Sequence, residues 1–138
     1  MTTNGREIKL DPVPASVRVA RDFVRRALCE LGLPGCVDDG VLIVSELVTN
    51  AVRAAPQTPC VVVVGIGAGH AVIEVHDGSS ALPQRRDPDF VGEHGRGLHV
   101  VEALCEGWDC VPSDDGKAVI AVLRPQVRET PREGNAGK

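Results

Sequence analysis

Two runs of β-branched residues near the middle of the chain constrain its fold most strongly. Residues 60–66 (CVVVVGI) and 71–76 (AVIEVH) are separated by the four residues GAGH. Valine and isoleucine favour strands, and a short glycine-containing link between two such runs is typical of a β-hairpin. The sequence therefore predicts an antiparallel pair of strands at the centre of the domain.

Helical segments precede this hairpin. Residues 15–31 place apolar side chains at the 3.6-residue spacing of a helix, and a second helix is predicted from near Asp38 to about Ala55. The remaining predicted elements are a third helix and three more strands, at residues 97–105, 107–111, 118–123 and 6–10. This order predicts an α+β two-layer sandwich, in which helices cover one face of a mostly antiparallel mixed sheet.

The first predicted helix has a basic face. Asp22 lies four residues from both Arg18 and Arg26. Opposite charges at that spacing form i,i+4 pairs on solvated helix surfaces. We therefore predict a solvated face, the alternative being a docking surface for an acidic partner.

Composition excludes several classes of function. The 138 residues fit one domain, with two Phe, one Trp, no Tyr and a formal net charge of −4. Such a chain lacks both the basic surface and the aromatic stacking platform of nucleic-acid-binding proteins. No apolar run is long enough for a membrane span and no signal-peptide core is present, so we expect a cytoplasmic protein. The five cysteines never form C-x-x-C, and we expect them to be reduced and buried, without a structural metal.

Three glycines precede the third predicted helix. Gly92, Gly95 and Gly97 stand directly before Leu98, and residues 78–94 are largely polar. A long loop in a compact domain is usually functional and is often a lid. A helix N-terminus that follows such a loop has unpaired backbone N–H groups that can bind an anion. We therefore predict an anion-binding site where this loop enters the helix.

A carboxylate ends the second strand of the hairpin. Side chains alternate along a strand, so Asp77 lies on the same side as Ile73 and Val75. A carboxylate on a core-facing side must accept hydrogen bonds, because an unpaired buried charge costs several kcal/mol. The alternative is an aspartate that merely begins the turn at Gly78.

The second helix carries polar residues on one face. Glu46, Asn50 and Arg53 follow Ile43 at helical spacing. One carboxylate and one amide oxygen side by side suit a hard cation bound at a phosphate. The alternative is that a Glu and an Asn four residues apart occur on this helix by chance.

Together, these stretches resemble a known family. ELVTNAV at 46–52, the D-G after the 71–76 strand and G-R-G-L at 95–98 are similar to the three boxes of the GHKL-type ATPase, or Bergerat, fold. In spacing and compact length the chain is most similar to the anti-sigma-factor serine/threonine kinases. The resemblance covers residues 13–124 and implies an ATP-binding domain with a lid at 78–94. An N-terminal arm at 1–12 and a disordered tail at 125–138 would flank it.

The resemblance also implies a role for each candidate residue. Glu46 would be the general base, Asn50 would coordinate Mg²⁺, and Asp77 would accept from the adenine amino group. The other residues implied to bind ATP are Arg53, Gly78, Gly95, Arg96, Gly97 and Leu98. Of these, Gly78 would let the base approach, Gly95 and Gly97 would present backbone N–H groups to the phosphates, and either arginine would neutralise phosphate charge.

The implied function is that of an ATP-dependent kinase that phosphorylates a serine or threonine of an antagonist protein and sequesters a sigma factor. The branch often forms homodimers. The sequence departs from it in two places: Ser79 and Ser80 follow Gly78 where many relatives have another glycine, and Ala54 stands where many have histidine. The alternative function is a non-catalytic partner-binding module with a weak ATP pocket. The catalytic part of a histidine kinase is not favoured, because no helical hairpin with a phosphorylatable His precedes the domain.

Overall fold

A computed structural model of the protein describes residues 3–79 and 93–125. The elements in these residues follow the predicted order, with one short 3-10 turn before the second helix. In chain order they are β1 (Thr3–Leu10), α1 (Ser16–Glu30), the 3-10 turn (Pro34–Cys36), α2 (Val37–Ala54), β2 (Cys60–Gly67), β3 (His70–Asp77), α3 (Glu93–Leu104), β4 (Cys105–Ser113) and β5 (Gly116–Leu123).

The strands form one sheet in the order β1-β2-β3-β5-β4, and every neighbouring pair is antiparallel. The predicted hairpin is confirmed, since Val61 of β2 lies opposite His76 of β3. Helices α1 and α2 pack against the sheet and against each other, and α3 packs against α2 and β4. The predicted α+β two-layer sandwich is therefore confirmed, with a sheet that is antiparallel throughout the described strands.

Strand alternation fills the core as the sequence predicts. Val62 and Val64 of β2 are buried on the helix side together with Ile73 and Val75 of β3. Helix α1 contributes the buried stripe Ala20, Val24, Ala27 and Leu28. Phe23 and Leu31 are partly buried and pack against the core. The core is thus built almost entirely of aliphatic side chains, because the chain has few aromatic residues.

The charges on α1 pair differently from the prediction. Asp22 accepts a hydrogen bond from Arg25 at 3.0 Å, an i,i+3 pair, in place of the expected pairs with Arg18 and Arg26. Both positions lie one turn away on a helix, so either spacing brings the charges together. Glu30 at the end of α1 pairs with Arg6 of β1 at 2.9 Å. This second pair ties the edge strand to the helix layer, and residues 3–10 of the predicted arm belong to the sheet.

The five cysteines are all thiols, as expected. Cys36, Cys60 and Cys105 are buried, whereas Cys29 is exposed, which corrects the expectation that all would be buried. Burial raises the pKa of the Cys105 thiol to about 11. The buried thiols therefore behave as small apolar core side chains at neutral pH.

Parts of three predicted segments lie outside the described residues. These are residues 1–2 of the predicted arm, residues 80–92 of the predicted lid and residues 126–138 of the predicted tail. Helix α3 begins at Glu93, four residues before the predicted start. No helix in the described part of the chain is long and apolar enough to cross a membrane.

Candidate functional site

The ends of several elements meet along one edge of the sheet, which we call the Asp77 edge: the start of β2 at Cys60, the end of β3 at Asp77 and the start of β5 at Lys117. Asp77 lies directly opposite Lys117 in the antiparallel register. Cys60 neighbours Asp77 on the other side, because Val61 is paired with His76. The Asp77 carboxylate contributes to raising the pKa of the Cys60 thiol, second to burial, which agrees with this proximity. One row of side chains on the helix face thus holds a thiol, a carboxylate and an ammonium.

The Asp77 carboxylate is buried and accepts several hydrogen bonds. Asp77 is 9 % exposed and Lys117 is 6 % exposed. The Lys117 Nζ atom lies 3.0 Å from each carboxylate oxygen of Asp77. The backbone N–H of Ser79 also donates to Oδ1, at 2.7 Å. The prediction of a core-facing carboxylate that needs hydrogen bonds is confirmed.

Lys117 is the partner that sequence reasoning missed. In β5 it alternates in phase with Val119 and Ala121, both of which are buried. The same period-2 argument that placed Asp77 on the core side therefore places Lys117 there as well. The signal that could have paired them is that Lys117 directly precedes the predicted strand 118–123 and has the same alternation as Val119 and Ala121.

Two glycines allow the backbone to approach closely at the Asp77 edge. A Cβ atom at Gly78 would collide with the Thr58 side chain. Gly116 has φ +153°, and a Cβ there would collide with the carbonyl oxygen of Asp77. Only glycine accommodates this backbone without strain or displacement of its neighbours. Gly78 thus has a packing requirement in addition to the role that the family resemblance implies.

The C-terminal end of α2 leads into the Asp77 edge. Helix α2 ends at Ala54, and only five residues separate it from the start of β2 at Cys60. Glu46 and Asn50 are half-buried and Arg53 is exposed. They border the stripe of α2 that is buried in the core. The predicted grouping on one helix face is therefore present in the structure.

Glu46 and Asn50 retain their hydrogen-bonding capacity. Neither side chain forms a hydrogen bond or ion pair with another residue in the described ranges 3–79 and 93–125. The neighbouring hydroxyls differ, because Thr49 donates to the Ser45 carbonyl at 2.6 Å and Ser45 to the Val41 carbonyl at 2.8 Å. A half-buried carboxylate and amide without protein partners can bind a ligand. The Asn50 side-chain oxygen fits a Mg²⁺ ion that takes one protein ligand and its other ligands from phosphate and water.

Helix α3 packs against α2 and β4. Its C-terminal end at Leu104 continues directly into β4 at Cys105. Phosphate binding at its N-terminal end stays a prediction.

The four candidate residues near the start of α3 all lie inside the helix, whereas the prediction placed Gly95 and Arg96 before it. Gly95, Arg96, Gly97 and Leu98 follow the helix start at Glu93, and their side chains lie outside the described set. The backbone N–H of Gly95 belongs to the open first turn, whereas that of Gly97 lies in the second turn, where N–H groups pair within a helix. The free donors of this terminus therefore precede Gly97.

A concavity lies between β1 and the end of α1, at the end of the sheet opposite to the Asp77 edge. It has a volume of about 450 Å³ and is lined by Asn4, Gly5, Arg6, Glu30, Leu31 and Ile66. Its two charged side chains, Arg6 and Glu30, already pair with each other. The unpartnered polar groups instead lie near the Asp77 edge, where we place the functional site.

The described residues thus form an antiparallel sheet covered by helices on one face, with a buried carboxylate at a strand end, which defines an α+β two-layer domain. Over residues 10–123 the chain matches the family model described as the histidine kinase-like ATPase domain, and it belongs to that family. No match was found among curated proteins. Membership supports the GHKL-type fold and implies nucleotide binding, typically with Mg²⁺.

Proposed function

We propose that the chain is an ATP-binding regulatory protein of the anti-sigma-factor kinase type. It phosphorylates a serine or threonine of an antagonist protein and sequesters a sigma factor. The observation that supports this most directly is the pair of half-buried, unpartnered side chains Glu46 and Asn50 on α2, the helix that leads within five residues into β2 beside the buried Asp77. Under this proposal, Glu46 supplies the base, Asn50 the metal ligand and Asp77 the carboxylate that recognises adenine, the roles that the family resemblance implies.

Nucleotide binding is assigned to the Asp77 edge and the start of α3. Asp77 accepts a hydrogen bond from the adenine amino group, next to the close backbone approach at Gly78. The free N–H groups of the first turn of α3 hold the phosphates, as helix N-termini do for anions. Arg53, exposed near the end of α2, and Arg96 are the two candidates for neutralising phosphate charge.

Phosphoryl transfer is assigned to α2. Bound Mg-ATP supplies the transferable phosphoryl group and the charge neutralisation by the metal. The Asn50 side-chain oxygen holds the metal, and the Glu46 carboxylate takes the proton from the attacking hydroxyl of the antagonist. Glu46 and Asn50 lie one helical turn apart, so the base and the metal ligand are held on one rigid element.

One observation favours the second candidate function, a partner-binding module with a weak pocket. Lys117 and the Ser79 backbone N–H, both groups of the protein itself, donate to the Asp77 carboxylate. A nucleotide therefore does not have to bind for this buried charge to be satisfied.

The experiment that separates the two functions is the transfer of radiolabelled phosphate from ATP to an antagonist protein, run beside a nucleotide-binding titration and a sigma-factor binding assay. The kinase proposal expects transfer to a serine or threonine. A wild-type chain that binds a sigma factor but neither ATP nor an antagonist as a phosphorylation substrate would identify the binding module.

Replacing Asn50 with alanine is expected to lower both ATP affinity and phosphoryl transfer, by about tenfold or more each. The metal ligand acts on the bound nucleotide as well as on the transition state, so both quantities fall. Thr49→Ala is the matched control, because that hydroxyl bonds the Ser45 carbonyl on a neighbouring face of α2. Equal losses in the two variants would remove Asn50 from the metal site.

A further inference from the structure

The Lys117 ammonium has donor capacity that the protein does not use. An ammonium has three N–H donors. Within residues 3–79 and 93–125, Asp77 is its only hydrogen-bond partner, with one contact to each carboxylate oxygen at 3.0 Å. The residue is 6 % exposed, so bulk water has little access to the remaining donor. A buried N–H of this kind calls for an acceptor.

The Asp77 carboxylate has acceptor capacity left beside it. An ionised carboxylate offers about four lone-pair positions. Lys117 uses one on each oxygen, and the Ser79 N–H uses another on Oδ1. Oδ2 therefore keeps a free position, and it lies 3.0 Å from the Lys117 Nζ atom that carries the unused donor. The Asp77 edge presents one acceptor and one donor side by side.

This pattern is complementary to the Watson–Crick edge of adenine. There, the 6-amino group is a donor and the adjacent ring nitrogen N1 is an acceptor. We propose that Lys117 is a base-contacting residue that donates to N1 while Asp77 accepts from the 6-amino group. The inference rests on the proposed ATP site and adds a second, specificity-determining contact to it.

The same pattern opposes guanine in the same orientation. Guanine has a carbonyl oxygen at position 6 and an N–H at position 1. The carbonyl would face the Asp77 carboxylate, which places two acceptors together. The N–H would face the Lys117 ammonium, which places two donors together. Mismatched buried polar groups discriminate strongly between ligands. A lone carboxylate would oppose guanine at only one position.

The test compares three nucleotides that differ in single atoms or groups: ATP, 1-deaza-ATP, in which a C–H replaces N1, and purine riboside triphosphate, which lacks the 6-amino group. Wild-type protein is expected to bind ATP about tenfold or more tightly than 1-deaza-ATP, since a hydrogen bond from a charged donor is lost. Lys117→Met is expected to bind these two equally and still to prefer ATP over purine riboside triphosphate, because Asp77 remains.

Two further variants control the comparison. Lys9→Met removes an exposed lysine of β1 and is expected to leave all three affinities unchanged. Lys117→Arg keeps a charged donor and is expected to recover part of the preference for ATP over 1-deaza-ATP. Circular dichroism establishes that each variant is folded at the temperature of the titration.

The outcomes distinguish this inference from the proposed function. If wild-type protein binds ATP and 1-deaza-ATP equally, or if folded Lys117→Met keeps the wild-type ratio, the Lys117 contact is wrong while the ATP site stands. If wild-type protein binds none of the three nucleotides, the ATP site itself is wrong.

Discussion

Replacing Lys117 with methionine is expected to lower the free energy of unfolding by about 3–5 kcal/mol, because it leaves the buried Asp77 carboxylate without its charged partner. Methionine has nearly the length of lysine, so packing changes little. The loss of stability therefore measures the effect of removing the Lys117 charge. The pair is buried on both sides, at 9 % and 6 % exposure, which distinguishes it from the exposed Arg25–Asp22 pair on α1. Urea unfolding followed by circular dichroism measures the change.

The matched control is the double variant Asp77→Asn/Lys117→Met, in which both charges are removed. Asparagine keeps an oxygen that can accept from the Ser79 N–H, so no buried charge remains unpaired. We expect it to recover much of the lost stability, since removing both partners of a buried pair often costs little. A Lys117→Met variant within about 0.5 kcal/mol of wild type, the range of ordinary surface substitutions, would contradict the buried ion pair.

Glu46→Gln is expected to slow phosphoryl transfer to the antagonist by about 10²–10⁴-fold while leaving ATP affinity unchanged. Glutamine keeps the size of the side chain but cannot take a proton. Glu46 is proposed to act on the attacking hydroxyl and not on the nucleotide. The rate of phosphoryl transfer is therefore expected to fall in this variant, while the affinity for ATP stays the same. Single-turnover transfer of radiolabelled phosphate and a binding titration measure the two quantities.

Asp38→Asn is the control for that substitution, since it removes an exposed carboxylate from the first turn of the same helix. It is expected to transfer phosphate at the wild-type rate. Transfer by Glu46→Gln at the same rate as by the control would remove Glu46 from the role of base.

Much of the fold could be predicted from the spacing of apolar residues along the sequence. The hairpin was predicted because two valine-rich runs flank a glycine-containing link, and β2 and β3 differ from the predicted ranges by at most one residue at each end. The ends of α1 and α2 were predictable in the same way, from spacing and from the prolines and glycines that end helices. The strand β1 is longer than predicted, because its pairing with β2 is a long-range contact and includes an irregularity between Thr3 and Arg6.

The start of α3 was predicted too late. The prediction began this helix at Gly97 and excluded Gly95, and each glycine in a helix costs about 1 kcal/mol relative to alanine. The helix nevertheless extends through both, and tertiary packing against α2 and β4 stabilises it. Local propensity is a weak guide when an element is held by its neighbours.

The candidate site was predicted in part. Alternation placed Asp77 on the core side, and helical spacing placed Glu46 and Asn50 together on one face of α2. The contact between Asp77 and Lys117 joins residues 40 positions apart, so it required the pairing of β3 with β5. The order of the strands in the sheet is the information that the sequence pattern did not contain.

The central claim is that this domain binds ATP at the Asp77 edge, and calorimetric titration of Mg-ATP into the wild-type chain and into Asp77→Asn tests it most directly. The expected result is saturable binding to one site per wild-type chain, with affinity about tenfold or more lower in the folded variant, since the hydrogen bond to a charged acceptor is weakened. Absence of saturable binding to folded wild-type protein, or the same affinity in both proteins, would contradict the claim.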